Sequence, residues 1–168
     1  HSTLRSMRKR YEIQQSLGTT PIDEVSIREK SRDELPAILL GLQHVFRTDT
    51  LRDSILAIVE KAVQGDKRQT GRPGMDLWEI LVLGVVRLGL NANYDRLDDM
   101  ANNHRSLRGI LGVDVAEGFG WGKEYHLQTL KDNVSLLDED SIKQINELVV
   151  EHGRELLKKK GPKPRKRS

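Results

Sequence analysis

The stretch DLWEILVLGVVRLGL, residues 76–90, decides the fold of this chain. Its apolar residues cover nearly the whole circumference of about four helical turns, roughly 22 Å of helix, which predicts a helix buried on all sides. A membrane span needs about 20 apolar residues, whereas this run has 15 residues and includes Glu79 and Arg87. We therefore expect a central core helix, with no membrane partner, around which the rest of the chain packs.

The composition favours packed helices over a sheet. Aromatic residues make up 4% of the 168 residues and charged residues 32%, so leucine, isoleucine and valine must build the core. The length suits one domain. The absence of cysteine excludes disulfides and cysteine-bound zinc, and it is typical of an intracellular protein. We expect an all-α bundle of about six to seven helices with flexible basic ends.

Two helices are predicted before the core helix. SRDELPAILLGLQHVF, residues 31–46, opens with a capping-box pattern of Ser31 and Glu34, although Pro36 favours a start a few residues later. TLRDSILAIVEKAVQG, residues 50–65, follows with Thr50 as its expected cap. Residues 1–30 have no sustained period and are predicted to form a loosely ordered arm, in which residues 1–6 are typical of a vector-derived addition.

Four helices are predicted after the core helix. NYDRLDDMANNHRSLRGILG, residues 93–112, has the pattern of two short amphipathic helices with almost no chain between them, the first capped by Asn93. Residues 123–137 predict another helix, and residues 139–158 predict a long amphipathic one. The helical domain is thus expected over residues 31–157, with a basic tail at 158–168.

The net charge of +3 conceals an uneven distribution. Residues 1–10 and 158–168 hold eleven of the 28 basic residues and no acid, which leaves 17 basic against 25 acidic residues, or −8, for residues 11–157. The basic character therefore lies at the two ends, where it suits a polyanion such as nucleic acid.

The pair at 93–112 is a candidate helix-turn-helix. Arg105 and Arg108 are three residues apart, so they share one helical face, from which arginine can read guanine in a major groove. Asn102, Asn103 and His104 occupy the turn and are further candidates for DNA contact. The alternative is a solvated face with no partner, which the acidic first helix favours, because Asp95, Asp98 and Asp99 would repel phosphates.

Two further basic segments are candidate phosphate contacts. The loop at 65–75 carries Lys67, Arg68 and Arg72, and its Gly-Arg-Pro resembles minor-groove-binding arms, although an interhelical turn explains it equally well. The tail supplies four basic residues after its lysine run, Lys163, Arg165, Lys166 and Arg167. Nuclear import, an anionic membrane surface or a vector-derived end are the alternatives for such a tail.

No catalytic residue, metal ligand or cofactor site is predicted. The five histidines are scattered, and no two of them have metal-ligand spacing on a helix. His152 falls on an apolar stripe and is expected to be a packing residue. GFGWG, residues 118–122, lacks the strand and helix context of a phosphate loop. This chain is therefore expected not to be an enzyme by itself.

Residues 71–113 together resemble the amino-terminal region of bacterial insertion-sequence transposases of the DDE type. That pattern has a Gly-Arg-Pro loop, an apolar helix, a turn and helix, and a closing segment. The matching positions here are Gly71, Arg72 and Pro73, the helix from Leu77, Gly89, Leu90, Tyr94 and Leu97, and finally Leu107, Arg108, Leu111 and Gly112.

The resemblance implies a helical module that binds the double-stranded DNA of transposon ends and assists assembly, in the bacterial cytoplasm at the nucleoid. It also implies an RNase H-like catalytic domain, in which three carboxylates hold two metal ions. No Asp or Glu of this chain can be assigned to those three carboxylates. A truncated fragment without that domain is therefore expected. The alternative is a helical protein–protein or homodimerisation module, in which the long last helix self-associates and only the basic tails touch DNA.

Overall fold

The computed structural model describes residue 10 and residues 20–27, 34–64, 75–114 and 122–160. In these ranges the regular structure is a 3₁₀ turn at Ile22–Glu24 and seven α-helices, with no strand. The helices are α1 (Leu35–Arg47), α2 (Asp49–Gln64), α3 (Leu77–Leu90), α4 (Tyr94–Asn103), α5 (Arg105–Leu111), α6 (Leu127–Val134) and α7 (Glu139–Lys160). The expected all-α bundle of six to seven helices is confirmed.

Helix α3 lies at the centre of the bundle, as its composition predicts. Every residue from 77 to 86 is buried, and all six other helices contact α3. Its amino end is closed by a capping box, in which Asp76 accepts from the Glu79 amide at 2.8 Å and Glu79 accepts from the Asp76 amide at 3.1 Å. Its carboxyl end is closed by Asn91 in the left-handed conformation, with φ of 50°.

Helices α1 and α7 form the most extensive helix pair, and their backbones touch. A Cβ atom built on Gly41 would lie 1.9 Å from the carbonyl oxygen of Val149, and one on Gly153 would lie 1.7 Å from that of Ala37. Ala37 and Gly41 are one turn apart on α1, and Val149 and Gly153 are one turn apart on α7. Because Ala37 meets Gly153 and Gly41 meets Val149, the two helices run antiparallel and each contributes one glycine. The absence of a side chain at two glycines permits this approach.

Several helices begin or end at residues other than those expected, above all α6, which spans Leu127–Val134 rather than residues 123–137. Helix α1 begins at Leu35, a few residues after Ser31 as Pro36 indicates, and the Glu34 side chain makes no capping hydrogen bond. Ser31 lies outside the described residues. Helix α2 begins at Asp49, so Thr50 stands inside its first turn rather than at the cap. Helix α7 continues to Lys160, two residues beyond its expected end, and includes the start of the predicted basic tail.

Part of the expected loose arm packs on the bundle. Ile22 is buried, and the side-chain amide of the buried Gln43 donates to the carbonyls of Ile22 at 3.1 Å and Val25 at 2.8 Å. Farther towards the amino terminus, the Arg10 carbonyl accepts from the Trp78 amide at 2.8 Å. Hydrogen bonds to backbone carbonyls do not depend on which side chains a segment carries, so they leave no periodic pattern in the sequence. For this reason the sequence alone does not predict that residues 20–27 are ordered.

None of the described helices has both the length and the apolar character required to cross a membrane.

Candidate nucleic-acid interface

Helices α4 and α5 are joined by a single residue, His104, which ends one helix and begins the other. Its backbone N–H donates to the carbonyl of Met100 at 2.8 Å, closing α4. Its Nδ1 accepts from the Leu107 amide at 3.2 Å, capping α5. Asn93 caps the start of α4 through the Arg96 amide at 2.8 Å, as predicted. The junction therefore fixes the two helices relative to each other with no spare chain.

The inner faces of both helices are the ones that the periodicity predicts. The buried residues on them are Leu97, Met100, Ala101, Leu107, Ile110 and Leu111. The Trp78 indole donates to the carbonyl of Ile110 at 2.8 Å and so ties α5 to the core helix. Gly112 ends α5 with φ of 79°, a conformation that suits glycine. Residues on the opposite faces are consequently held at fixed positions on the surface.

Arg108, a predicted groove contact, is engaged within the fold. Its guanidinium donates to the carbonyls of Ala101 at 2.7 Å, Lys123 at 2.8 Å and Val113 at 3.2 Å. It is only partly exposed. These three bonds occupy three of the five N–H donors of the guanidinium, which leaves fewer for a guanine edge. Arg108 thus binds the 122–126 segment to α4 and α5.

The two predicted asparagines have different surroundings. The side chain of Asn102 forms two hydrogen bonds with the backbone of Tyr125. It accepts from the Tyr125 amide at 2.7 Å and donates to the Tyr125 carbonyl at 2.9 Å. Asn103 is exposed, and within the described ranges its amide donates to Asp99 at 2.9 Å. Asn102 is therefore a structural residue, whereas Asn103 keeps its amide at the surface.

Arg105 is the predicted arginine that projects into solvent. Its side chain is 89% exposed, and among the described residues it forms an ion pair with Asp114, with 3.8 Å between Nε and Oδ2. Such a long, exposed pair contributes little stability, so the guanidinium can exchange it for another anion at small cost. Arg105 and Asn103 flank the His104 junction, and both are exposed.

The site also contains a buried polar cluster that the sequence does not predict. Glu79 accepts from Lys123 Nζ at 2.7 Å and from the Tyr125 hydroxyl, while its other oxygen belongs to the α3 capping box. Burial raises the pKa of Tyr125, and the negative charge and hydrogen bond of Glu79 raise it further. The Asp-x-x-Glu pattern at 76–79 is a readable capping signal, but nothing in the sequence links it to residues 123 and 125.

Acidic residues on α4 make the neighbouring surface partly negative. Asp98 and Asp99 accept hydrogen bonds from the amides of Asn102 and Asn103, and Asp95 is exposed. These bonds orient two of the carboxylates along α4. A polyanion that meets Arg105 must therefore approach from the α5 side of the junction.

The other predicted contacts lie outside the described residues. They are the loop residues Lys67, Arg68 and Arg72 and the tail residues Lys163, Arg165, Lys166 and Arg167. Their role in binding phosphates stays a prediction.

Within the described ranges, no three His, Asp or Glu side chains converge as a metal cluster. No protein-family model, curated protein or solved structure matches this chain.

Proposed function

We propose that this chain is a double-stranded DNA-binding module without catalysis of its own, and that α4 and α5 form its sequence-reading unit. The observation that carries the proposal is Arg105, whose 89% exposed side chain stands on a short helix with its opposite face buried. An exposed arginine on a packed helix, beside an exposed amide, matches the donor chemistry of major-groove readout. The resemblance at residues 71–113 supports transposon ends as the DNA, in the cytoplasm of a bacterial cell.

The competing function, self-association through the last helix, has less surface available to it. The apolar stripe of α7 is used within the chain, with Ile142, Ile145, Val149 and Val150 buried. Among the described residues, Leu148 is the one exposed large hydrophobic side chain. A stable homodimer interface needs a more extensive apolar centre than this, which favours DNA binding.

The exposed charges assign contacts with bases and contacts with phosphates to different segments of the chain. Arg105 and Asn103 supply contacts to base edges, and the basic loop and tail supply contacts to phosphates that hold the chain on the duplex. Arg108 and Asn102 keep the reading unit in shape by fixing the segment at 122–126. The negative body reduces non-specific adhesion of the remaining surface.

The test is selection of a preferred duplex from a random library, followed by titration of labelled preferred and scrambled duplexes. We expect Arg105→Ala to reduce the affinity ratio between the two by roughly five- to 150-fold, the worth of one bidentate arginine contact. Lys143→Ala is the matched control, because Lys143 is exposed on α7 and, within the described ranges, α7 does not contact α4 or α5. Arg108 is unsuitable for this test because its loss breaks three internal bonds.

An unchanged ratio in Arg105→Ala, or selection that returns no preferred sequence, contradicts the proposal. Equal affinity for every duplex, with strong salt dependence, would assign DNA binding to the basic segments alone. Concentration-dependent mass in solution without DNA would favour the competing function.

A further inference from the structure

Two histidine side chains meet on the described structure away from α4 and α5. His44 of α1 and His152 of α7 are 108 positions apart in sequence, yet their ring centroids are 5.0 Å apart, with 33° between the ring planes. Both side chains are half-buried, so solvent ions can reach them. We propose that His44 and His152 form a two-histidine site for a divalent transition-metal ion of the zinc, nickel or copper class.

The ring separation fits coordination to a single ion. Zinc binds imidazole nitrogen at about 2.0–2.1 Å, and two imidazoles at neighbouring positions of a tetrahedral ion then have ring centroids about 5 Å apart. Coordination takes one nitrogen of each ring. The second nitrogen keeps its capacity to hydrogen-bond, as ligating histidines ordinarily require.

The backbone holds the two histidines in place. Gly41 lies one turn before His44, and Gly153 directly follows His152, so both rings flank the close crossing of α1 and α7. Because the backbones touch there, the helices cannot slide apart without losing the packing of the core. A site built on rigid helices keeps its geometry better than one built on loops.

The local charge suits a cation. Glu151 precedes His152, Glu155 lies one turn after it on α7, and both carboxylates are exposed. On α1, Arg47 is the nearby positive group, and its guanidinium donates to the carbonyl of Asp23. Imidazole is a borderline ligand that selects zinc, nickel and copper over magnesium and calcium.

The ligand number defines what the site can do. With two protein ligands, the remaining coordination positions of the ion are filled by water or by an exchangeable group. The ion therefore binds more weakly than in closed four-ligand sites and joins α1 to α7 from outside the core. Binding to the folded state alone stabilises that state, so added metal raises the unfolding temperature.

The test adds zinc chloride to the full-length chain and follows the imidazole signals by nuclear magnetic resonance. We expect the signals of His44 and His152 to shift together and the signal of His126, which is exposed at the start of α6, to stay in place. This measurement uses the unchanged chain, so its result does not depend on whether a variant folds. Absence of a shift at either His44 or His152 overturns the proposal.

A second test of the proposal is calorimetric titration with zinc. Because loss of even an outer hydrogen-bond partner typically weakens metal affinity about 10- to 100-fold, we expect His152→Gln or His44→Gln to weaken it by at least about tenfold. His126→Gln is the matched control and should bind as the unchanged chain does. All variants retain His1, so any binding there is a common background. Equal affinity in His152→Gln and His126→Gln contradicts the assignment.

Discussion

At the scale of single residues, similar side chains in adjacent positions have unrelated roles. Arg105 and Arg108 share a helical face by spacing, yet one points into solvent and the other binds three carbonyls. Asn102 forms two hydrogen bonds with the Tyr125 backbone, whereas Asn103, within the described ranges, donates to the Asp99 side chain. The difference arises because the segment at 122–126 covers one side of the pair. Sequence spacing cannot show which side a distant segment will cover.

The buried hydroxyl of Tyr125 makes stability fall at high pH. Its pKa is raised in the folded chain, so the unfolded chain loses this proton first, at about pH 10. The stabilising contribution is complete below pH 10 and is lost as the pH rises above it, by up to about 1.4 kcal/mol per pH unit. We expect urea unfolding between pH 9 and 11.5 to show a steeper decline for the unchanged chain than for Tyr125→Phe.

The comparison isolates one ionisation because Tyr125→Phe keeps the aromatic ring and all other titrating groups. Tyr94→Phe serves as the matched control, since Tyr94 is only half-buried and faces the Arg87 guanidinium at 4.2 Å. Parallel declines for the unchanged chain and Tyr125→Phe would mean that Tyr125 ionises as readily in the folded state as in the unfolded one.

At the scale of elements, periodicity predicted which helices exist and which faces they bury. The core helix and the inner faces of α4 and α5 follow from local apolar spacing, and the Asn93 cap follows from the preference of asparagine for that position. Three features depend on contacts between segments far apart in sequence, and they were not predictable: the Glu79 cluster, the His44–His152 pair and the glycine crossing. In each case one partner comes from residues 122–160, whose place in the bundle is set by the whole fold.

The glycine crossing of α1 and α7 is the least tolerant contact between elements. We expect Gly153→Ala to destabilise the chain by about 3 kcal/mol or more, because the new methyl group would meet the backbone at Ala37, which cannot move aside. Gly84→Ala is the matched control, since its methyl group meets only the side-chain tip of Leu137 and the Ile142 side chain. Urea midpoints at constant m-value measure both changes.

Equal losses in Gly153→Ala and Gly84→Ala would show that α1 and α7 can separate slightly at little cost. A gain in stability for Gly153→Ala would fit a helix position with free space, where alanine is favoured over glycine.

At the scale of the whole molecule, charge is divided between an acidic body and basic ends. Residues 11–157 carry −8, while the last eight residues alone carry four positive charges. Binding that depends on phosphate neutralisation weakens with salt in proportion to the number of contacts. The tail and the reading unit should therefore affect different properties of DNA binding.

We expect replacement of Lys163, Arg165, Lys166 and Arg167 by glutamine to lower the salt dependence of DNA affinity without changing sequence preference. The slope of log affinity against log salt should decrease in magnitude by up to about 0.9 for each lost contact. Arg105→Ala is the counterpart, because it should change preference and alter the slope by at most about one contact. A tail variant that loses sequence preference would contradict this division.

The single-residue junction at His104 has a consequence for how this chain can vary over time. Because His104 both ends α4 and caps α5, one residue inserted there would separate these two roles and displace α5, which carries the buried Leu107, Ile110 and Leu111. Substitution at Arg105, by contrast, disturbs no buried contact. Point replacements at exposed positions are thus compatible with the fold, whereas insertions and deletions at the junction disturb the packing of α5.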